Sequence, residues 1–219
     1  MTDATVRLLP RLLPRFSARF SARFTVRLTA CLMLALAAAL LGACKSPATN
    51  FYTLSPDESL SGTGASRPIA AVIGPVTIPE IVDRPQIVTR IGNNEVEVNE
   101  FDRWAQPLGG DIGRVIAADL GALLNSQQVS VFDAVRDPSV VWRVRIDVMR
   151  FESVPGRDVT VDVLWAVRPP GKIRAVTGRS VARESVSGPG FEPIIAAHDR
   201  ALASVSRDIA AAVQANPAQ

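Results

Sequence analysis

The run from Leu28 to Leu41 is apolar except for Thr29, and it follows a segment whose charges are Arg7, Arg11, Arg15, Arg19, Arg23 and Arg27, balanced only by Asp3. Fourteen residues at 1.5 Å each span about 21 Å, short of the roughly 30 Å of a hydrocarbon core. A basic segment, a short apolar run and small residues behind it (Gly42, Ala43) describe a cleavable export signal, not a spanning helix. The Arg-Phe-Ser-Ala repeat at residues 15–22 belongs to the same leader. The folded body is therefore expected downstream, and the leader drops out of any reading of the fold.

Charge then changes meaning. The whole chain carries +3, but residues 1–43 hold six arginines against one acid, +5, which leaves +3 − 5 = −2 for the remainder. No Lys/Arg stripe interleaved with aromatics appears after residue 44, so nucleic-acid binding is not expected. Of the two cysteines, Cys31 lies inside the apolar run and Cys44 directly follows Leu-Gly-Ala. That order resembles the lipobox of bacterial lipoproteins. The resemblance implies a diacylglyceryl group and an N-acyl chain on Cys44, which becomes the first mature residue. The mature body would then hold no free thiol, as suits an oxidising compartment. The organisation expected is a signal over 1–43, a lipidated tether with a short strand and mobile loop over 44–68, and one domain over 69–219.

The patterning predicts the elements. Phe51–Leu54 reads as a short strand, and Ser55–Pro68, rich in Ser, Gly and Pro, as a loop. Ile69–Ile78 is a buried strand broken at Gly74-Pro75. Gln86–Ile91 and Glu95–Asn99 flank Gly92-Asn93-Asn94 as a hairpin. Apolar residues at helical spacing over Leu108–Ser126 predict an amphipathic helix whose glycines, Gly109 and Gly110 above all, loosen its first turn. Val129–Phe132 reads as a short strand. Val140–Met149 and Val159–Val167 alternate as two strands joined at Pro155–Asp158, Arg174–Val186 as an outer strand, and Ile194–Val213 as the last helix. The fold class expected is α+β: two layers, a mostly antiparallel sheet with two helices packed on one face.

Catalytic and metal patterns are weak. His198, the single histidine, falls on the apolar stripe of the last helix, where a packed histidine is the ordinary outcome. No Gly-x-Ser-x-Gly elbow and no Walker lysine occur. Asp147, Asp158 and Asp162 surround one hairpin and read more readily as solvated strand carboxylates than as a cation site. No enzyme activity, metal or cofactor is expected beyond the lipid on Cys44.

Two blocks stand out: Asp83-Arg84-Pro85-Gln86-Ile87-Val88-Thr89-Arg90 and Phe101-Asp102-Arg103-Trp104-Ala105-Gln106-Pro107-Leu108. One reading is structural, an ion pair and a capping turn with Trp104 in the core. The other is a contact surface built from Asp83, Arg84, Pro85, Gln86, Arg103 and Trp104, since Arg and Trp are enriched at interface hot spots. Because both blocks border one hairpin, they are expected to lie together.

With Phe51-Tyr52-Thr53-Leu54, Ile73-Gly74-Pro75-Val76-Thr77-Ile78-Pro79 and Arg200 to Ala210, these blocks resemble the ABC-type transport auxiliary lipoproteins, the paraquat-inducible protein C group. Gly109-Gly110 departs from the helix-forming, often acidic residues usual there. The resemblance implies a lipoprotein on the periplasmic side of the outer membrane. It would be an accessory or docking subunit of a mammalian-cell-entry (MCE) type intermembrane lipid transport system that contributes to membrane integrity. The partners implied are an MCE-domain protein, the membrane through its lipid anchor, and further copies of the chain. The alternative is a lipid-binding carrier that holds acyl chains between sheet and helices.

Overall fold

The computed structural model describes residues 27–34, 47–62, 69–132 and 140–216. Two compact units divide at Pro47/Ala48. In the first, residues 27–34 are helical and exposed (α1), and no helix among the described residues is long and apolar enough to cross a membrane.

The second unit is α+β. Its strands are β1 (Asn50–Tyr52), β2 (Ala71–Thr77), β3 (Gln86–Arg90), β4 (Val96–Trp104), β5 (Val129–Ser130), β6 (Trp142–Val154), β7 (Asp158–Arg168) and β8 (Val176–Ser185). Its helices are α2 (Leu108–Leu123) and α3 (Glu192–Ala215), with one 3-10 turn at Glu80–Val82. The single, mostly antiparallel sheet expected from the pattern is replaced by two mixed sheets, ordered β1-β4-β3 and β5-β2-β6-β7-β8. Three pairs are parallel (β1–β4, β2–β5, β2–β6) and three antiparallel (β3–β4, β6–β7, β7–β8). The physical reason is connection length. Adjacent strands joined by tight turns pair antiparallel, whereas β2 meets its neighbours only after the hairpin and α2 have intervened, and such crossovers return the chain in parallel.

β6 and β7 supply the central wall. Val144, Ile146 and Val148 on β6 and Val159, Val161, Val163 and Val167 on β7 are buried, as the alternation predicts, and Phe151 joins them after the register shift between Val148 and Arg150. Against them lie Ile112, Val115, Ile116 and Leu120 of α2 and Ile194, Leu202, Val205 and Ile209 of α3, all in one cluster. Each such side chain contributes about 1.5–3 kcal/mol by leaving water. α2 packs on β2 and β5, α3 on β7 and β8, and the helices touch each other.

Two glycines explain themselves by close approach. α2 is helical from Leu108, immediately after Pro107, so its start is not loosened. A Cβ on Gly113 would come within 3.2 Å of Val76 Cγ2, so the glycine-rich first turns let the helix lie close on β2. On β8, Gly178 pairs with Trp165, and a Cβ there would penetrate the indole ring. Trp165 therefore lies across the glycine and donates its Nε1–H to Ser180 Oγ at 2.9 Å, which accounts for the run of small residues on this outer strand.

Candidate functional site

The stretch after β1 has no regular structure, yet three aspartates on the helices hold it by its backbone. Asp111, one turn into α2, accepts from the Leu54 N–H at 2.9 Å and the Thr53 hydroxyl at 3.0 Å. Gln106 Nε2 and Arg114 Nε donate to its other oxygen at 2.6 and 3.0 Å. Arg114 also donates to the Leu54 carbonyl at 2.6 Å, so both peptide groups of Leu54 are satisfied while its side chain, 1% exposed, joins the core. Asp199 of α3 accepts from the Ser55 N–H at 3.0 Å. Asp119, two turns beyond Asp111, accepts from the Asp57 N–H at 3.1 Å and from the α3 hydroxyl of Ser206 at 3.0 Å. Residues 53–57 thus form a strap across both helices.

Burial pushes the Asp119 and Asp199 carboxyls up to about 6, against the opposing pull of the backbone N–H bonds they accept. The strap's own Asp57 is lowered, chiefly by the hydroxyl and backbone N–H of Ser59.

β1 enters this strap from the small sheet. Asn50 Nδ2 and the Tyr52 hydroxyl both donate to Asp102 Oδ1 at 3.0 Å, Ala105 N–H donates to the Tyr52 carbonyl at 2.7 Å, and the Tyr52 ring meets Phe191 at 5.7 Å. The two blocks singled out in the sequence adjoin: Gln86 is the register partner of Arg103, and Trp104 N–H donates to the Pro85 carbonyl at 2.7 Å. Trp104 itself is 7% exposed and edge-on to Phe151 at 6.2 Å, so it buttresses the junction from inside, as the structural reading has it. Asp83, Arg84 and Pro85 are exposed, Gln86 and Arg103 half-buried. Arg103 is paired with Glu100 at 3.4 Å. On β1 and β4, Phe51 is 65% and Phe101 46% exposed.

His198 is wholly buried, stacked on Phe151 at 3.8 Å with Nε2 against the Ser153 hydroxyl at 2.8 Å. Burial lowers it to about 3, so it is a neutral core ring. Asp147, Asp158 and Asp162 each hold a guanidinium, from Arg145, Arg157 and Arg179 respectively, which accounts for them as strand ion pairs. Cys44, the expected lipid site, lies outside the described residues. Sequence reasoning missed the strap and its aspartates. The available signal was the position of Asp111 and Asp119 on the apolar stripe of α2, where a lone carboxylate needs donors brought from elsewhere.

The family model described as ABC-type transport auxiliary lipoprotein component matches residues 52–210. No curated protein matches the chain. A solved structure titled only as an uncharacterized protein is similar, with a TM-score of 0.62 and 15% identity over 75% of this chain and 98% of its own. A protein from Xanthomonas campestris gives a TM-score of 0.57 and 17% identity, covering 74% of this chain and 93% of its own. At these identities the likeness is one of fold.

Proposed function

The chain belongs to the family of ABC-type transport auxiliary lipoprotein components, and from that premise we propose that it is a lipid-anchored docking subunit of an MCE-type intermembrane lipid transport system, held at the periplasmic side of the outer membrane through Cys44 and contributing to membrane integrity. The family is one of transport auxiliaries, not of enzymes. The observation that carries the docking role is the junction of the two blocks: Asp83, Arg84, Gln86 and Arg103 stand at the surface around a seam closed from within by Trp104. A surface of arginine and carboxylate backed by a rigid aromatic suits a specific protein contact. The layer between sheet and helices, where a carrier would hold acyl chains, is instead filled by the fully buried Val144, Ile146, Val163, Ile116, Leu202 and Val205, which favours docking over carriage. Further copies of the chain are part of the same proposal, since docking on a multimeric MCE assembly gains from multivalent contact.

The test is capture from solubilised envelopes. Wild-type protein should retain an MCE-domain protein, and Arg84→Glu with Arg103→Glu should lose it while remaining folded. Capture of no MCE-domain protein by the wild type sinks the proposal. Replacing the leader with an ordinary cleavable signal, so that the mature chain begins at Lys45, should release soluble periplasmic protein. If that form still fractionates with membranes in the absence of a partner, Cys44 is not the anchor.

A further inference from the structure

We propose that the exposed patch on the β1–β4 pair, built on Phe51 and Phe101, is a membrane-contact surface that seats the domain directly on the bilayer carrying its anchor. The inference rests on the lipid-anchor reading of Cys44 given above.

The first premise is slack. Six residues lead from Cys44 to Asn50, at most about 22 Å when fully extended. Beyond Asn50 there is none to spare. Asn50, Phe51 and Tyr52 are in register with Asp102, Arg103 and Trp104, and the chain after them is pinned at Leu54, Ser55 and Asp57 by the carboxylates of Asp111, Asp199 and Asp119. A tether that ended in a free loop would let the domain turn any face to the membrane. This one ends in a strand, so the β1 end of the domain stays within that reach of the lipid.

The second premise is what that end displays. Residues alternate sides along a strand. Asn50, Tyr52, Asp102 and Trp104 share one side, as the Asn50 and Tyr52 bonds to Asp102 and the regular register over these residues require. Phe51 and its register partner Arg103 therefore share the other side, and Phe101, in the irregular stretch of β4 two residues before Arg103, is exposed like Phe51. Paired strands are about 4.8 Å apart and Phe101 is two residues from the partner of Phe51, so the two exposed rings lie at one place on the domain, not scattered over it. Arg103 marks the border between this patch and the docking surface, and its pairing with Glu100 leaves no unpaired charge beside the rings. Aromatic rings on an otherwise polar face, at the attachment end of an anchored domain, match the chemistry of the headgroup–acyl boundary. Contact through apolar rings is also insensitive to salt, unlike attraction to anionic lipid.

The experiment uses the mature lipidated protein, purified in detergent and reconstituted into vesicles of phosphatidylethanolamine and phosphatidylglycerol. With Cys44 acylated, a single introduced cysteine can be nitroxide-labelled. Phe101→Cys reports the patch, and Val181→Cys, 62% exposed on β8 of the other sheet, is the control. Paramagnetic accessibility should favour oxygen over a water-soluble nickel complex at 101 and invert at 181, in low and high salt alike. Adding Phe51→Ser should move the label at 101 toward water. A label at 101 as wet as that at 181 overturns the contact surface, and one shielded from both probes overturns it in favour of a protein occupant. Co-flotation separates the premises: protein that fails to float overturns the anchor reading and the surface with it, whereas protein that floats with 101 wet overturns the surface alone.

Discussion

The central wall of β6 and β7 and the strap at residues 53–57 are both fixed in place, but by opposite forces. The wall is held by side chains that leave water: Val144, Ile146, Val161 and Val163 against Leu202, Val205 and Ile209, none of them exposed. The strap buries one large apolar side chain, Leu54, and is otherwise held by carboxylates that accept its backbone N–H groups. Apolar burial is non-directional and sums over area, so it tolerates substitution that keeps volume. A carboxylate clamp is directional, and loss of one acceptor leaves several buried donors unsatisfied at once. The fold thus joins a deep, forgiving core to a shallow, exacting attachment.

The largest effect should come from the core. Leu202→Ala removes a fully buried side chain at the middle of α3 and should cost about 2–5 kcal/mol through transfer and cavity terms. Urea unfolding of the soluble form starting at Lys45 measures it. Asp111→Ala should cost about 1–3 kcal/mol by stranding Leu54 N–H, the Thr53 hydroxyl and Arg114, and Asp111→Asn less. The contrast sharpens in amide exchange: Asp111→Ala should unprotect residues 53–57 and leave β6 and β7 protected. Equal loss of protection in both regions would show that strap and wall are one cooperative unit and break the comparison.

A pH series reaches the strap by a different route. Asp119 is raised to about 6, so the folded chain holds that proton more tightly than the unfolded chain. Its effect on stability is therefore most favourable below about 4 and is lost as pH rises through 6, on the order of 1 kcal/mol between pH 5 and 7. His198, lowered to about 3, works the other way and loses stability as pH falls below its unfolded value of 6.5. Comparing wild type with Asp119→Asn at pH 5 and 7 cancels His198 and the similarly raised Asp199, which both proteins keep: the stability of the variant relative to wild type should rise with pH by that amount. The same pH dependence in both would mean that Asp119 does not titrate in this window.

The same contrast governs what the sequence could reveal. Alternation over Val140–Met149 and Val159–Val167 and helical spacing over 108–126 and 194–213 are local records of burial, and the wall and both helices follow from them. The small sheet and the strap depend on partners far along the chain. Leu54 meets Asp111 across 57 residues, Asp57 meets Asp119 across 62, and Ser55 meets Asp199 across 144. Ser55–Ser59 therefore reads as loop, because no nearby residue records its acceptors. The extension of β4 through Glu100, Asp102 and Arg103 was hidden for a related reason. The register slips between Gln86 and Ile87, so the alternation that marks a strand fails where the two sequence blocks come together. Their adjacency could be read from the hairpin between them, but the burial of Trp104 against Phe151 on another sheet could not.

The smallest effect tests the seam between the two sheets. Arg90 of β3 and Glu152 of β6 form a 2.6 Å ion pair, with side chains 32% and 23% exposed. Arg90 also donates to the Asn93 carbonyl at 2.9 Å and so braces the hairpin turn. Phe151, next to Glu152 in the chain, meets Trp104 edge-on. If the seam follows the logic of the wall, the aromatic contact holds the sheets together and the ion pair only sets their alignment. A half-solvated pair gains little, because water screens the attraction and ordering two long side chains costs entropy. A double-mutant cycle with Arg90→Met and Glu152→Gln isolates the pair from the turn contact, which the glutamate change leaves in place. The coupling should be about 0.2–1 kcal/mol. A coupling above about 2 kcal/mol, comparable with a buried charge pair, would place the seam with the strap, as a directional polar lock between the sheets.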